Sequence, residues 1–171
     1  MSNSFIIDTD SLISPYHHFY PFDLAPGFWD QLQKHIEQGN IAILDLVKTE
    51  IDAGEDDLKD WLNRINIKTL VSHKNTDIIQ SYGLIMQHID SCNHYTIKAV
   101  KEWDYPAADP WLIAAAHTNE YTLVTFELPN RNLDVHHPSK KAKIPDVCEH
   151  FGVKCCNLYD MMRALPFNQF K

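Results

Sequence analysis

Glycine is scarce in this chain, with five residues in 171. Phosphate-cradling loops depend on glycine, and neither the P-loop nor the dinucleotide-binding pattern is present. No apolar run reaches the roughly 20 residues that a membrane helix requires. Met1-Ser2-Asn3-Ser4 leads straight into a strand-like segment, without a signal-peptide pattern. Positive charge is also short: 15 Lys and Arg stand against 23 Asp and Glu, for a formal net charge of -8. That balance argues against a sequence-independent nucleic-acid coat protein. It does not argue against a nuclease, because bound divalent cations offset an acidic site and a local basic segment can hold substrate. There is no G-x-S-x-G elbow, and no cysteine has a local His partner, so nucleophilic catalysis has no support. The expectation is a cytoplasmic protein with reduced thiols and no membrane association.

What remains is an ordinary globular composition, 44% hydrophobic and 22% charged. The length suits a single domain over residues 1–171 with a sizeable core. Short apolar runs at Ser4–Asp8, Ile41–Leu44, Tyr121–Thr125 and Val153–Cys155 read as buried parallel strands. Ile67–Val71 reads equally as strand or extended linker. Helical spacing runs through Phe28, Trp29, Leu32 and Ile36, and Gly39-Asn40 supplies residues that tolerate the left-handed geometry of a helix end. Leu46–Ala53, the segment around Leu58 to Ile65, Asn75–Trp103 with a break near Ser91-Cys92-Asn93, Asp109–Asn119, Ile144–Phe151 and Leu158–Leu165 follow as helices. Pro15–Pro26 is aromatic and proline-rich and reads as a packed loop; Leu128–Lys143 reads as a long polar loop. Strands alternate with helices, so an α/β domain with a parallel sheet is expected.

Four acidic residues stand just after apolar runs or at the start of a helix: Asp8, Glu50, Asp109 and Glu127. In a parallel α/β sheet the carboxyl ends of the strands share one rim, where ligands bind. Alone, each has an ordinary explanation: a turn or capping Asp at Asp8, a solvent-facing helical Glu at Glu50, an Asp-Pro helix start at Asp109, a loop carboxylate at Glu127. Together they form a constellation that repels itself unless protonated, hydrogen-bonded or bridged by cations. Mg²⁺ or Mn²⁺ suits such hard oxygen donors, and one or two ions could activate a water for phosphodiester hydrolysis. Asp10 is a further candidate ligand. Thr125 offers a hydroxyl at the same rim to orient a carboxylate or a water. Lys140, Lys141 and Lys143, with Arg131 upstream, are the densest basic segment, read either as a substrate-phosphate handle or as a solvated loop. Cys148, His150, Cys155 and Cys156 invite a zinc reading, but their spacing matches no familiar zinc motif.

Four segments, in order, resemble the PIN-domain nucleases: Phe5-Ile6-Ile7-Asp8-Thr9-Asp10-Ser11-Leu12-Ile13, Val47-Lys48-Thr49-Glu50-Ile51, Ala108-Asp109-Pro110-Trp111-Leu112-Ile113-Ala114-Ala115-Ala116 and Leu123-Val124-Thr125-Phe126-Glu127. The aromatic loop before Trp29 and Lys143-Ile144-Pro145-Asp146-Val147-Cys148 look most like an uncharacterised PIN-like subfamily of bacteria and archaea. The resemblance implies a three-layer α/β/α fold with a central parallel sheet and Mg²⁺- or Mn²⁺-dependent ribonuclease chemistry. It also implies, by kinship with VapC-type toxins, an RNA substrate and a cognate antitoxin. On it, Asp8, Glu50 and Asp109 bind metal directly or through water, and Glu127 supports a second ion or the attacking water. Two features depart from the pattern. Glu127 stands where Asp or Asn is usual, and Leu128–Lys143 is longer than a minimal domain needs, which leaves Lys143 and Asp146 as added site candidates. A catalytically degenerate RNA-binding or scaffold module and a DNA-directed metal-dependent nuclease are the alternatives. Trp61, Trp103, Phe167 and Phe170 read either as a homodimer or antitoxin surface or as core and tail packing, with packing favoured.

Overall fold

The computed structural model describes residues 4–168. Five short strands form one parallel sheet: β1 (Phe5–Ile7), β2 (Ile41–Leu44), β3 (Leu70–Val71), β4 (Thr122–Val124) and β5 (Cys155–Cys156), in spatial order β3-β2-β1-β4-β5. β1 and β2 are buried along their full length, as strands covered on both faces must be. The register sets Ile7 beside Val124, and Ile6 beside both Ala42 and Leu123. The chain therefore leaves β1 and β4 at the same level, which brings Asp8 and Thr125 out side by side.

Nine α-helices flank the sheet among the described residues: α1 (Asp10–Ser14), α2 (Pro26–Gln38), α3 (Asp45–Asp52), α4 (Asp57–Arg64), α5 (Thr76–Ser91), α6 (Ile97–Glu102), α7 (Asp109–Asn119), α8 (Ile144–Phe151) and α9 (Leu158–Ala164). α2 buries Phe28, Trp29, Leu32 and Ile36 and ends at Gly39, whose φ of 84° no β-carbon tolerates cheaply. α5 stops where anticipated, with Asn93 at positive φ, and Thr96 caps α6 by accepting from the Ala99 N–H. α7 is apolar nearly all round and buried from Pro110 to Ala116. It is the central helix of its layer, packed chiefly on α5.

Several local expectations change. Pro15–Phe19 is a π-helical continuation of α1 rather than loop; Pro15 is buried and Tyr16 packs against the core, while His17, His18 and Phe19 are exposed. Of Ile67–Val71 only the last two residues pair with β2. The fifth strand begins two residues later than its apolar pattern suggested, because Leu123 and Val124 pair with Cys155 and Cys156. Trp61 and Trp103 are buried in the core, and Phe167 packs on its edge. Phe170 lies outside the described residues. Among the described residues no helix is long and apolar enough to cross a membrane.

Gly39 gives a direct test of this frame. A β-carbon there would stand 3.2 Å from Lys68 Cδ and from Thr69 Oγ1, on a left-handed backbone. Gly39→Ala is expected to lower unfolding stability by roughly 1–2 kcal/mol in urea denaturation, with the native fold retained by circular dichroism.

Candidate active site

Asp8 follows β1 directly and is 6% exposed. Its backbone N–H donates to Val124 O at 3.0 Å, which locks the end of β1 to β4. The Thr125 hydroxyl then donates to Asp8 Oδ2 at 3.0 Å. The same Oγ1 accepts from the Glu127 N–H at 3.1 Å, so both of its hydrogen-bonding roles are filled and its rotamer is set. Thr125 is itself buried and tied to β5 through its own N–H and Cys156 O.

Asp109 opens α7, half-buried. The capping role open to it in sequence is not the one it takes. Ala108 occupies the N-cap position, Asp109 is the first helical residue, and no hydrogen bond to its carboxylate occurs among the described residues. Burial and the carboxylates of Glu127 and Glu50 push the Asp109 pKa up to about 6, and Lys143 pulls the other way. Burial raises Asp8 further, to about 7; Asp109, Glu127 and Asp10 add to the rise, and the Thr125 hydrogen bond opposes it. Asp8, Asp10, Glu50, Asp109 and Glu127 therefore lie within electrostatic reach of one another through Asp8 and Asp109.

They are not equivalent. Glu50 is exposed on α3 and accepts a hydrogen bond from the Thr9 hydroxyl. Thr9 stands at the N-cap position of α1, but its side chain makes no cap there and reaches across to α3 instead. Asp10 is exposed and accepts from Ser14 Oγ at 2.9 Å. Glu127 is bound on both oxygens, by Lys143 Nζ at 2.8 Å and by the Ile144 N–H at 2.8 Å. Lys143 thus faces the acidic group, while Lys140, Lys141 and Arg131 are exposed on the loop. Asp146 accepts from the Asn130 backbone N–H and, at 2.7 Å, from Asn130 Nδ2, so it clamps the loop onto α8. Among the described residues no three His, Cys, Asp or Glu side chains stand close enough together to form a ready-made metal cage. In the cysteine-rich segment, Cys148, Cys155 and Cys156 are free thiols, Cys148 buried, and His150 stacks on His88 with ring centroids 3.6 Å apart.

Asp45 escaped the sequence reading. It is the residue immediately after Ile41–Leu44, so it carried the same signal of an acid after an apolar strand. Its carboxylate accepts from Ser72 Oγ, the His73 N–H and His73 Nδ1, the last at 2.8 Å. That bonding fastens the end of β3 to the start of α3.

The model of a family described as "Domain of unknown function (DUF4411)" matches residues 5–169. The chain belongs to this DUF4411 family. No curated protein matches by sequence. Among solved structures, the DUF4411 chain is similar to VapBC2 from Rickettsia felis, crystallised bound to a DNA fragment from its promoter, with a TM-score of 0.52 and 10% identity. That match covers 90% of this chain and 97% of the other. At that identity the likeness concerns the fold, which is PIN-like.

The raised pKa values have a thermodynamic consequence. Between the ordinary carboxylate range and about 7, the folded state holds a proton on Asp8 that the unfolded chain has released. Stability therefore falls as pH rises through that window and levels off above it. In metal-free buffer, Asp8→Asn is expected to raise the melting temperature at pH 8, by an amount reflecting about 1.4 kcal/mol for each pH unit of the rise. Near pH 4 the gain should disappear. Equal effects at both pH values would contradict the electrostatic account.

Proposed function

We propose that this protein is a divalent-cation-dependent endoribonuclease, the toxin member of a toxin–antitoxin pair. The observation that carries the reading is the placement of Asp8 and Asp109. Asp8, just after strand β1, is buried, and Asp109, at the start of helix α7, is half-buried; the two are electrostatically coupled, and among the described residues no basic side chain is bonded to either. Such a pair favours either a proton or a cation. Neighbouring acids would strengthen cation binding as they strengthen proton binding. The PIN-like fold supports the toxin assignment, and the VapBC2 neighbour supports an antitoxin as partner.

The donor set fits Mg²⁺ or Mn²⁺. All candidate ligands are carboxylate oxygens, and Mg²⁺ commonly takes only one or two protein carboxylates, keeping waters and substrate phosphate for the rest of its shell. Asp8 and Asp109 would hold the ion, with Glu50 and Asp10 acting through water. When bound, it would activate a water at neutral pH and stabilise the leaving oxygen. The chain's own residues do the positioning. Thr125 holds Asp8 in one orientation, and Thr9 holds Glu50 toward the same end of the sheet. Lys143 and the Ile144 N–H fix Glu127, and Lys143 balances part of the acidic charge that faces a phosphate.

The occupied state of Glu127 favours a second reading, a binding module in which fewer carboxylates remain for catalysis. The two separate experimentally. Purified protein with Mn²⁺ is expected to cleave a labelled RNA, to lose that activity on chelation and to regain it when Mn²⁺ is restored. Asp109→Asn should lower the rate by roughly 100-fold or more while leaving the melting temperature at or above that of the parent. Undiminished cleavage by Asp109→Asn would overturn the proposal. Parallel assays on single-stranded and flap DNA decide the substrate class.

A further inference from the structure

The last acid of the group comes with a cation already attached. Lys143 Nζ stands 2.8 Å from Glu127 Oε1, and the Ile144 N–H donates to Oε2 at the same distance. Both side chains of the ion pair are partly buried. The ammonium is not carried on a loose tip of the long loop. Lys143 is the residue before α8, between the buried Ala142 and Ile144, and its carbonyl accepts from the Val147 N–H. Asp146, in the first turn of α8, accepts from Asn130 across the loop. The backbone beneath the ammonium is therefore fixed. A line of hydrogen bonds leads from it to the buried acid. Lys143 donates to Glu127, the Glu127 N–H donates to Thr125 Oγ1, and the Thr125 hydroxyl donates to Asp8. Lys143 also acts on Asp109, whose pKa it lowers against the opposite effect of Glu127 and Glu50.

We infer that Lys143 takes the place of a second divalent ion, so that the site loads one Mg²⁺ or Mn²⁺ at Asp8 and Asp109 and none at Glu127. This rests on the proposed function for the use of Asp8 and Asp109 as ligands. A two-ion site needs enough carboxylates to hold a cation at both the attacking and the leaving oxygen. Glu127 is the carboxylate open to a second ion from its place in the sequence, and it is neutralised from two directions. The ammonium binds one oxygen, and the positive end of α8 binds the other. A divalent ion at Glu127 would stand beside that ammonium, and solvent screens like charges weakly around a partly buried pair. The charge balance agrees. Asp8, Asp109 and Glu127, when ionised, carry three negative charges, which one divalent ion and one ammonium cancel. Glu50 and Asp10 are exposed and keep their hydration. The two cations differ in what they can do. An ammonium offers three donors and a unit charge, suited to a phosphate oxygen, but only the divalent ion lowers the pKa of a bound water.

The test counts ions on the full chain, with Mn²⁺ alone and no RNA. Calorimetric titration is expected to give one Mn²⁺ per chain, and low-temperature electron paramagnetic resonance to show isolated ions rather than spin-coupled pairs. Lys143→Met keeps the apolar stem and removes the charge. Its count is expected to rise to two, with the coupled-pair signal appearing. Lys143→Arg keeps the charge and should bind one ion, as the parent does. Glu127→Gln should also leave the count at one, because Glu127 holds no ion in the parent. A purely structural role for the ion pair would leave the Lys143→Met count unchanged. Two Mn²⁺ ions on the parent, a single ion on folded Lys143→Met, or loss of the ion in folded Glu127→Gln each overturn the inference. One ion on the parent and two on Lys143→Met, without RNA cleavage by the parent, would leave the role of Lys143 standing and remove the nuclease reading. Cleavage by a parent that carries two ions would do the reverse.

Discussion

Two like charges kept from water are the constraint around which this molecule is arranged. The parallel register of β1 and β4 delivers Asp8 and Thr125 to the same level of the rim, and α7 presents Asp109 from its first residue. Burial makes ionisation unfavourable for both, and each neighbouring acid makes it more so. A fold selected for stability alone would neutralise such a pair with a bonded base or replace it with apolar residues. Here the base, Lys143, is bonded to Glu127, one position removed from the buried pair. The arrangement keeps an electrostatic demand in place, one that a proton meets and, under the proposed function, a hard cation would meet.

The long loop between β4 and α8 gains a role from the same constraint. It is anchored by Asn130 on Asp146, by Ser139 between the backbones of His94 and Thr96, and by Glu127 on Lys143 and the Ile144 N–H. These anchors hold Lys143 beside the acids, and Lys143 alone lowers the Asp109 pKa among the groups that act on it. The loop is thus coupled to site electrostatics through one ion pair with both side chains partly buried. An ion pair so placed is screened less than one on the surface.

The sequence disclosed the site through one physical regularity and concealed its wiring for another. An apolar run followed by an acid is informative because a buried strand must end where its chain meets water, and all parallel strands end on one rim. Asp8 and Glu127 were visible on that ground, and Asp109 through its Asp-Pro helix start. Asp45 carried the same signal more directly than Glu50 and was passed over, and only coordinates reveal that His73 and Ser72 occupy it. Thr9 stands at the N-cap of α1, where a local rule would have it cap the helix. Its bond to Glu50 spans 41 residues, which no local rule anticipates. The Glu127–Lys143 pair is hidden for the same reason. The short β3 and β5 were blurred because two paired residues carry too little periodicity to separate strand from linker.

An acidic protein that acts on a polyanion needs attraction that does not come from its overall field. With 23 acidic against 15 basic side chains, long-range Coulomb steering of RNA is unfavourable. Under the proposed function the attraction must be local: a cation held by Asp8 and Asp109 would bridge protein to phosphate, while Lys143 keeps its charge on Glu127. The exit of β4 serves that arrangement directly, because Thr125 braces Asp8 and Glu127, two residues on, holds the Lys143 that acts on Asp109.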